Sequence, residues 1–155
     1  MTDAAQLLTL NLIEVRRRSL IVWQAIPNER LGWRCDIEAM SLGESIRHVW
    51  VSTGNYMAIL KARKSVEAIT PNSEMPIESV QQEIKFAEQI FDEFLVFIEK
   101  LDVVDLIDPI DRSDIGYTRQ MGDFVLRIAY HEAVHAGQLL QSMRTADITR
   151  PDIWD

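Results

Sequence analysis

Apolar residues recur at helical spacing from Asp3 to about Ala25, at Leu7, Leu8, Leu12, Val15, Ile21 and Val22, until Pro27 ends the pattern; this predicts a first helix. A connection from Asn28 to Met40 follows. Ser41 and Glu44 then have the spacing of a capping box, in which hydroxyl and carboxylate each satisfy a free amide of the first turn, so a second helix is expected over about Leu42 to Lys64. Pro71 and Pro76 bracket a polar loop. Beyond it Val80, Ile84, Ala87, Phe91, Phe94, Ile98 and Leu101 repeat at intervals of three and four and predict a third long helix. Between Asp102 and Arg119 the period fails, and Leu106, Ile110, Ile115 and Tyr117 flank the turn-like Asp111-Arg112-Ser113-Asp114, as in a small hairpin or an irregular excursion. From about Gln120 to Thr145 a fourth helix is apolar nearly all the way round, which predicts a place at the centre of a bundle. The expectation is one all-α domain over residues 1–155: a four-helix bundle with an excursion before the last long helix.

Composition narrows the function classes. The 155 residues are 47 % hydrophobic and 26 % charged, with six Gly and five Pro, so a single core is expected and long disordered linkers are not. A net charge of −8 argues against nucleic acid as a partner, because that affinity comes from cations neutralising phosphates. Cys35 is the only cysteine, which excludes an internal disulfide and a thiolate zinc cluster. Residues Met1 to Gln6 carry no basic stretch before an apolar core, and no apolar run approaches the roughly 20 residues that span a bilayer. Neither membrane nor export is indicated, and a cytoplasmic location is expected.

The chemistry-bearing signal is His131-Glu132-Ala133-Val134-His135 within the fourth helix. At about 100° per residue, positions i and i+4 lie about 40° apart, so both imidazoles leave one face and can share a metal ion. The chain has three histidines, so a third imidazole ligand has to be His48. Helical phase places His48 roughly 140° from the centre of the apolar stripe Leu42, Ile46, Val49, Trp50, Thr53, Met57 and Leu60, on the side of Ser45, Ser52 and Asn55. That side suits a wet surface and a polar cavity between helices equally well.

Other chemistries compete for the same residues. The literal H-E-x-x-H matches the zinc metallopeptidase signature, with Glu132 as the base that activates water, yet no histidine follows His135 and the chain offers little sheet on which a peptide could be laid out. Asp147, Asp152 and Asp155 could serve as ligands only after a sharp turn. A di-iron reading of Glu132-Ala133-Val134-His135 needs a second Glu-x-x-His, and His48 is preceded three positions earlier by Ser45. Asp102, Asp105, Asp108, Asp111 and Asp114 do not have the spacing of a calcium loop and read as a solvated segment. Cys35, between Arg34 and Asp36, reads as a small buried apolar residue without a chemical role.

Two stretches resemble the DinB/YfiT-like superfamily: Ser41-Leu42-Gly43-Glu44-Ser45-Ile46-Arg47-His48, and Tyr130-His131-Glu132-Ala133-Val134-His135-Ala136-Gly137-Gln138-Leu139. The resemblance covers essentially the whole chain. It implies a four-helix bundle in which His48, His131 and His135 bind a divalent metal, usually zinc or nickel. The family often has histidine and arginine where this chain has Val134 and Ala136. Some members are thiol-dependent transferases or isomerases, which implies a metal-dependent, transferase-like enzyme with a small-molecule substrate and a low-molecular-weight thiol; a homodimer stays open as the oligomeric state. Glu132 would then orient a ligand from behind or act as an acid/base group. The alternatives are the zinc metallopeptidase and a non-catalytic metal-binding or interaction bundle.

Overall fold

The capping signal before the second helix acts as the sequence indicates. Ser41 Oγ accepts from the Glu44 amide at 3.2 Å, and the Glu44 carboxylate accepts from the Ser41 amide at 2.6 Å. A computed structural model describes residues 4–154 and places α1 at Ala4–Gln24, α2 at Leu42–Ala62, α3 at Val80–Ile98 and α5 at Met121–Thr145. A short α4 (Val103–Ile107) and an antiparallel hairpin, β1 (Pro109–Arg112) with β2 (Tyr117–Gln120), fill the interval before α5. The expected start of the first helix at Asp3 lies outside the described residues.

Each of α1 and α2 packs against both α3 and α5, so α1 and α2 stand on one diagonal of the bundle and α3 and α5 on the other. Two apolar clusters fix the helix directions. One gathers Leu12, Leu60, Ile98 and Phe124; the other gathers Trp23, Ile46, Val80 and Met143. Read from the first cluster to the second, α1 and α5 run one way while α2 and α3 run the other. Fully burying such a side chain contributes about 1.5–3 kcal/mol, and together these residues hold the four helices without a disulfide.

Because α2 and α3 are parallel, residues 63–79 must travel back along α2. Arg63 ends α2 in the left-handed region at φ 55°, and the next residues bond to β1 through Ser65 N to Asp111 O and Asp111 N to Arg63 O, both 3.0 Å. Further on, Thr70 lies over Gly54 with its hydroxyl 3.0 Å from the Val51 carbonyl and 2.8 Å from the Asn55 side-chain oxygen. A Cβ on Gly54 would stand 2.4 Å from Thr70 Oγ1, so this close approach needs glycine. Arg47 then reaches the Ser73 and Met75 carbonyls while its guanidinium also binds the buried Glu83 of α3.

Two expectations need correction, and the excursion holds a short helix besides the expected hairpin. The last helix does not sit at the centre with all sides covered: Leu126, Tyr130 and Val134 are exposed, because each helix of a square bundle has only two close neighbours and keeps an outer face. Cys35 is exposed, not buried. The excursion contains a capped helical turn, α4, whose Asp102 and Asp105 form a second capping box. The aspartates of that segment also serve other local partners, since Asp105 and Asp108 both pair with Arg63, at 2.6 and 2.5 Å. Among the described residues no helix is long and apolar enough to cross a membrane.

Candidate metal centre

α2 and α5 are antiparallel neighbours, which sets the early part of α2 against the later part of α5. His48, His131 and His135 meet there. His131 Nε2 stands 3.1 Å from His48 Nε2 and 3.1 Å from His135 Nε2, and one ring nitrogen from each of the three lies within 4.8 Å of the others. The rings are tilted or edge-on to one another with centroids 4.5–5.1 Å apart, so the nitrogens converge and the planes do not stack.

The donor set fits a divalent cation. A ring nitrogen carries one proton or one lone pair, so His131 Nε2 cannot make a full hydrogen bond to two other nitrogens at once. Two nitrogens bound to a tetrahedral zinc at about 2.05 Å would lie about 3.3 Å apart, close to the spacing found. Burial favours the uncharged form of all three rings. It holds His48 and His135 below the ordinary histidine range, and it takes His131, with help from the charges of His135, His48 and Arg127, down to about 4. At neutral pH the lone pairs are therefore free for a ligand.

His135 is buried and the other two are half-buried, which leaves the cluster open on the outer seam of α2 and α5. Beside His48, between α2 and the returning connection, lies a cleft of ≈ 330 Å³ lined by Glu44, Arg47, Val51, Asn55 and Thr70. A second cleft of ≈ 640 Å³ shares Asn55, Ala68 and Ile69 with it and continues past Ser52 and Tyr56 to Arg112. The Tyr56 ring packs edge-on against His131 at 6.4 Å.

Glu132 points elsewhere. Its carboxylate accepts two hydrogen bonds from Arg16 of α1, 2.7 Å from Nε and 2.9 Å from the terminal nitrogen, with both residues almost fully buried. The guanidinium lies over Phe91 at 4.4 Å and Trp23 at 5.2 Å and also donates to the Ala87 carbonyl. Both oxygens thus bond to Arg16 on the inner side of α5, and no hydrogen bond joins Glu132 to a histidine ring among the described residues. Sequence reasoning missed Arg16, although a cation within the stripe Leu12, Arg16, Ser19 and Trp23 was a signal that an inner-facing anion should be sought.

Comparisons with known proteins give the fold and the family separately. A DinB-like protein of Bacillus subtilis superposes with a TM-score of 0.74 at 16 % identity, covering 94 % of this chain and 96 % of that one. A DinB-like protein of Bacillus cereus gives a TM-score of 0.73 at 17 % identity, with 91 % of each chain covered. No curated protein matches the chain. The sequence pattern of the DinB superfamily matches residues 11–139, from the middle of α1 to the end of the histidine-bearing stretch, and the chain belongs to that superfamily.

Proposed function

We propose that this chain is a metal-dependent enzyme in which His48, His131 and His135 hold zinc or nickel and a low-molecular-weight thiol is used in a transferase or isomerase reaction. The observation that carries the reading is the convergence of three uncharged imidazole nitrogens on a seam that stays open to a cleft. Three protein ligands with one side free is the pattern of catalytic rather than structural sites. When bound, the ion supplies Lewis acidity that makes a thiol or a water a nucleophile near neutral pH. The chain's own part is to hold the ring nitrogens together. The Arg16–Glu132 pair ties α5 to α1, and Tyr56 packs edge-on against the His131 ring.

The metallopeptidase alternative lacks this support, because a water-activating base has to reach the open side of the cluster and the Glu132 carboxylate is bound to Arg16 on the other side. Metal content of protein purified without an affinity column, followed by thiol titration of the cobalt-substituted form, tests the proposal. A single ion per chain and a thiol-dependent change in the visible spectrum are expected. Metal-free protein that gains none on dialysis, or a cobalt spectrum indifferent to several small thiols, would sink it.

A further inference from the structure

Tyr117 of β2 is ringed by three guanidiniums, with Arg119, Arg112 and Arg127 at 5.5, 5.7 and 5.9 Å from its centroid. Packing alone accounts poorly for the cluster, since three like charges around one ring repel each other while each cation–π contact is weak where solvent still reaches the cation. Arg119 is neutralised by Asp123 at 2.8 Å. The other two are not. Arg112 and Arg127 are half-buried and neither pairs with a carboxylate among the described residues. Arg112 spends Nε on the Ser65 hydroxyl at 3.0 Å, and Arg127 makes no hydrogen bond among the described residues, which leaves all five of its donors for solvent or a ligand. The nearby acids are engaged or peripheral: Asp114 accepts from Ser65, and Glu67 is exposed at the cleft edge.

The position of the pair gives it a use. Arg127 precedes His131 by one turn of α5, while Arg112 lines the cleft that Tyr56 connects to the His131 ring. We propose that Arg112 and Arg127 form a carboxylate-binding subsite, so that one reactant at the histidine cluster carries a carboxylate which the two guanidiniums hold while its reacting end faces the three imidazoles. The role as a reactant subsite rests on the thiol reading above; the anion site itself does not. An Arg pair suits this because its planar fork matches a carboxylate, and the −8 chain would otherwise repel an anionic reactant.

Two measurements separate the levels. In the full chain freed of metal, glutarate should shift the arginine side-chain NMR signals that disappear in Arg112→Gln and Arg127→Gln. Each substitution should weaken glutarate binding about tenfold, whereas Arg150→Gln on the exposed tail should not. In the cobalt protein, an Arg127-dependent preference for 3-mercaptopropionate over 2-mercaptoethanol would place the carboxylate on the thiol. Equal thiol affinities with Arg-dependent glutarate binding would place it on the other reactant. Glutarate that binds the Arg112→Gln/Arg127→Gln variant as tightly as the wild type, or binds neither, overturns the subsite. Loss of the thiol response with Arg-dependent glutarate binding intact would instead remove only the thiol reading.

Discussion

Replacing Glu132 with Gln removes the charge of a carboxylate that is 4 % exposed and leaves Arg16, 3 % exposed, as a buried cation without a counter-charge. Breaking a buried pair from one side costs about 3–5 kcal/mol, chiefly because the survivor stays desolvated. Glutamine is nearly isosteric and keeps one acceptor for Arg16, and the faces of Phe91 and Trp23 still receive the guanidinium, so about 3 kcal/mol is the better expectation. For a chain of this size each kcal/mol moves Tm by about 2–4 °C, which puts the loss at about 6–12 °C. Metal should stay bound, because no histidine touches the lost charge. Arg16→Met should destabilise comparably, while Arg16→Met with Glu132→Leu should recover most of the loss, since apolar side chains of similar volume can replace a buried pair at little cost. Differential scanning calorimetry, metal analysis and a thiol-transfer assay on the same preparations read all three. A Glu132→Gln protein with unchanged Tm, full metal and no activity would show that the carboxylate acts on the chemistry and that its pairing with Arg16 is incidental.

Three further outcomes are expected. His48→Ala, His131→Ala and His135→Ala should each lose most bound metal after gel filtration; full occupancy in His48→Ala would reduce the site to the two histidines of α5. Because folded-state pKa values of all three rings lie below the ordinary value, with His131 at about 4, the unfolded chain binds more protons as pH falls from about 6.5 toward 4; stability of the metal-free protein should fall over that window, and less steeply in His131→Gln. Identical pH–Tm profiles for the two proteins would refute the assignment. Gly54→Ala should cost about 1–3 kcal/mol by pushing Thr70 off α2, and less in a Thr70→Ala background; additive effects in the double variant would show that the 2.4 Å approach is not the cause.

Helix positions were legible because periodicity and caps are local. Ser41 and Glu44 announce α2 and its cap forms as read, and the break after Leu101 does mark a hairpin. What could not be read is how the helices are joined in space. A parallel α2–α3 pair is invisible to a helical wheel, as is the return of residues 63–79 along α2 that it requires, because both follow from which ends share a core cluster. The overestimate of burial on α5 has the same origin: the wheel records which faces are apolar, but the number of neighbouring helices decides which of them is covered.

The site shows where that boundary falls. His131 and His135 could be paired from sequence alone, because i, i+4 spacing on one helix fixes their relation. His48 could not, because its phase on α2 suits a wet surface and a polar cavity between helices equally well. That phase is correct: the ring does lie off the inner stripe, on the side of Ser52 and Asn55. It is shielded by groups the wheel does not contain, the two histidines across the seam on one side and the returning connection at Ala68, Thr70 and Ser73 on the other. A polar ligand set needs such a place, outside the apolar core where an unpaired imidazole would be costly, yet covered enough to keep the rings uncharged. The same logic separates Glu132 from its neighbours, since 100° of rotation carries it from the open seam into the core, where it is stable only because Arg16 comes to meet it.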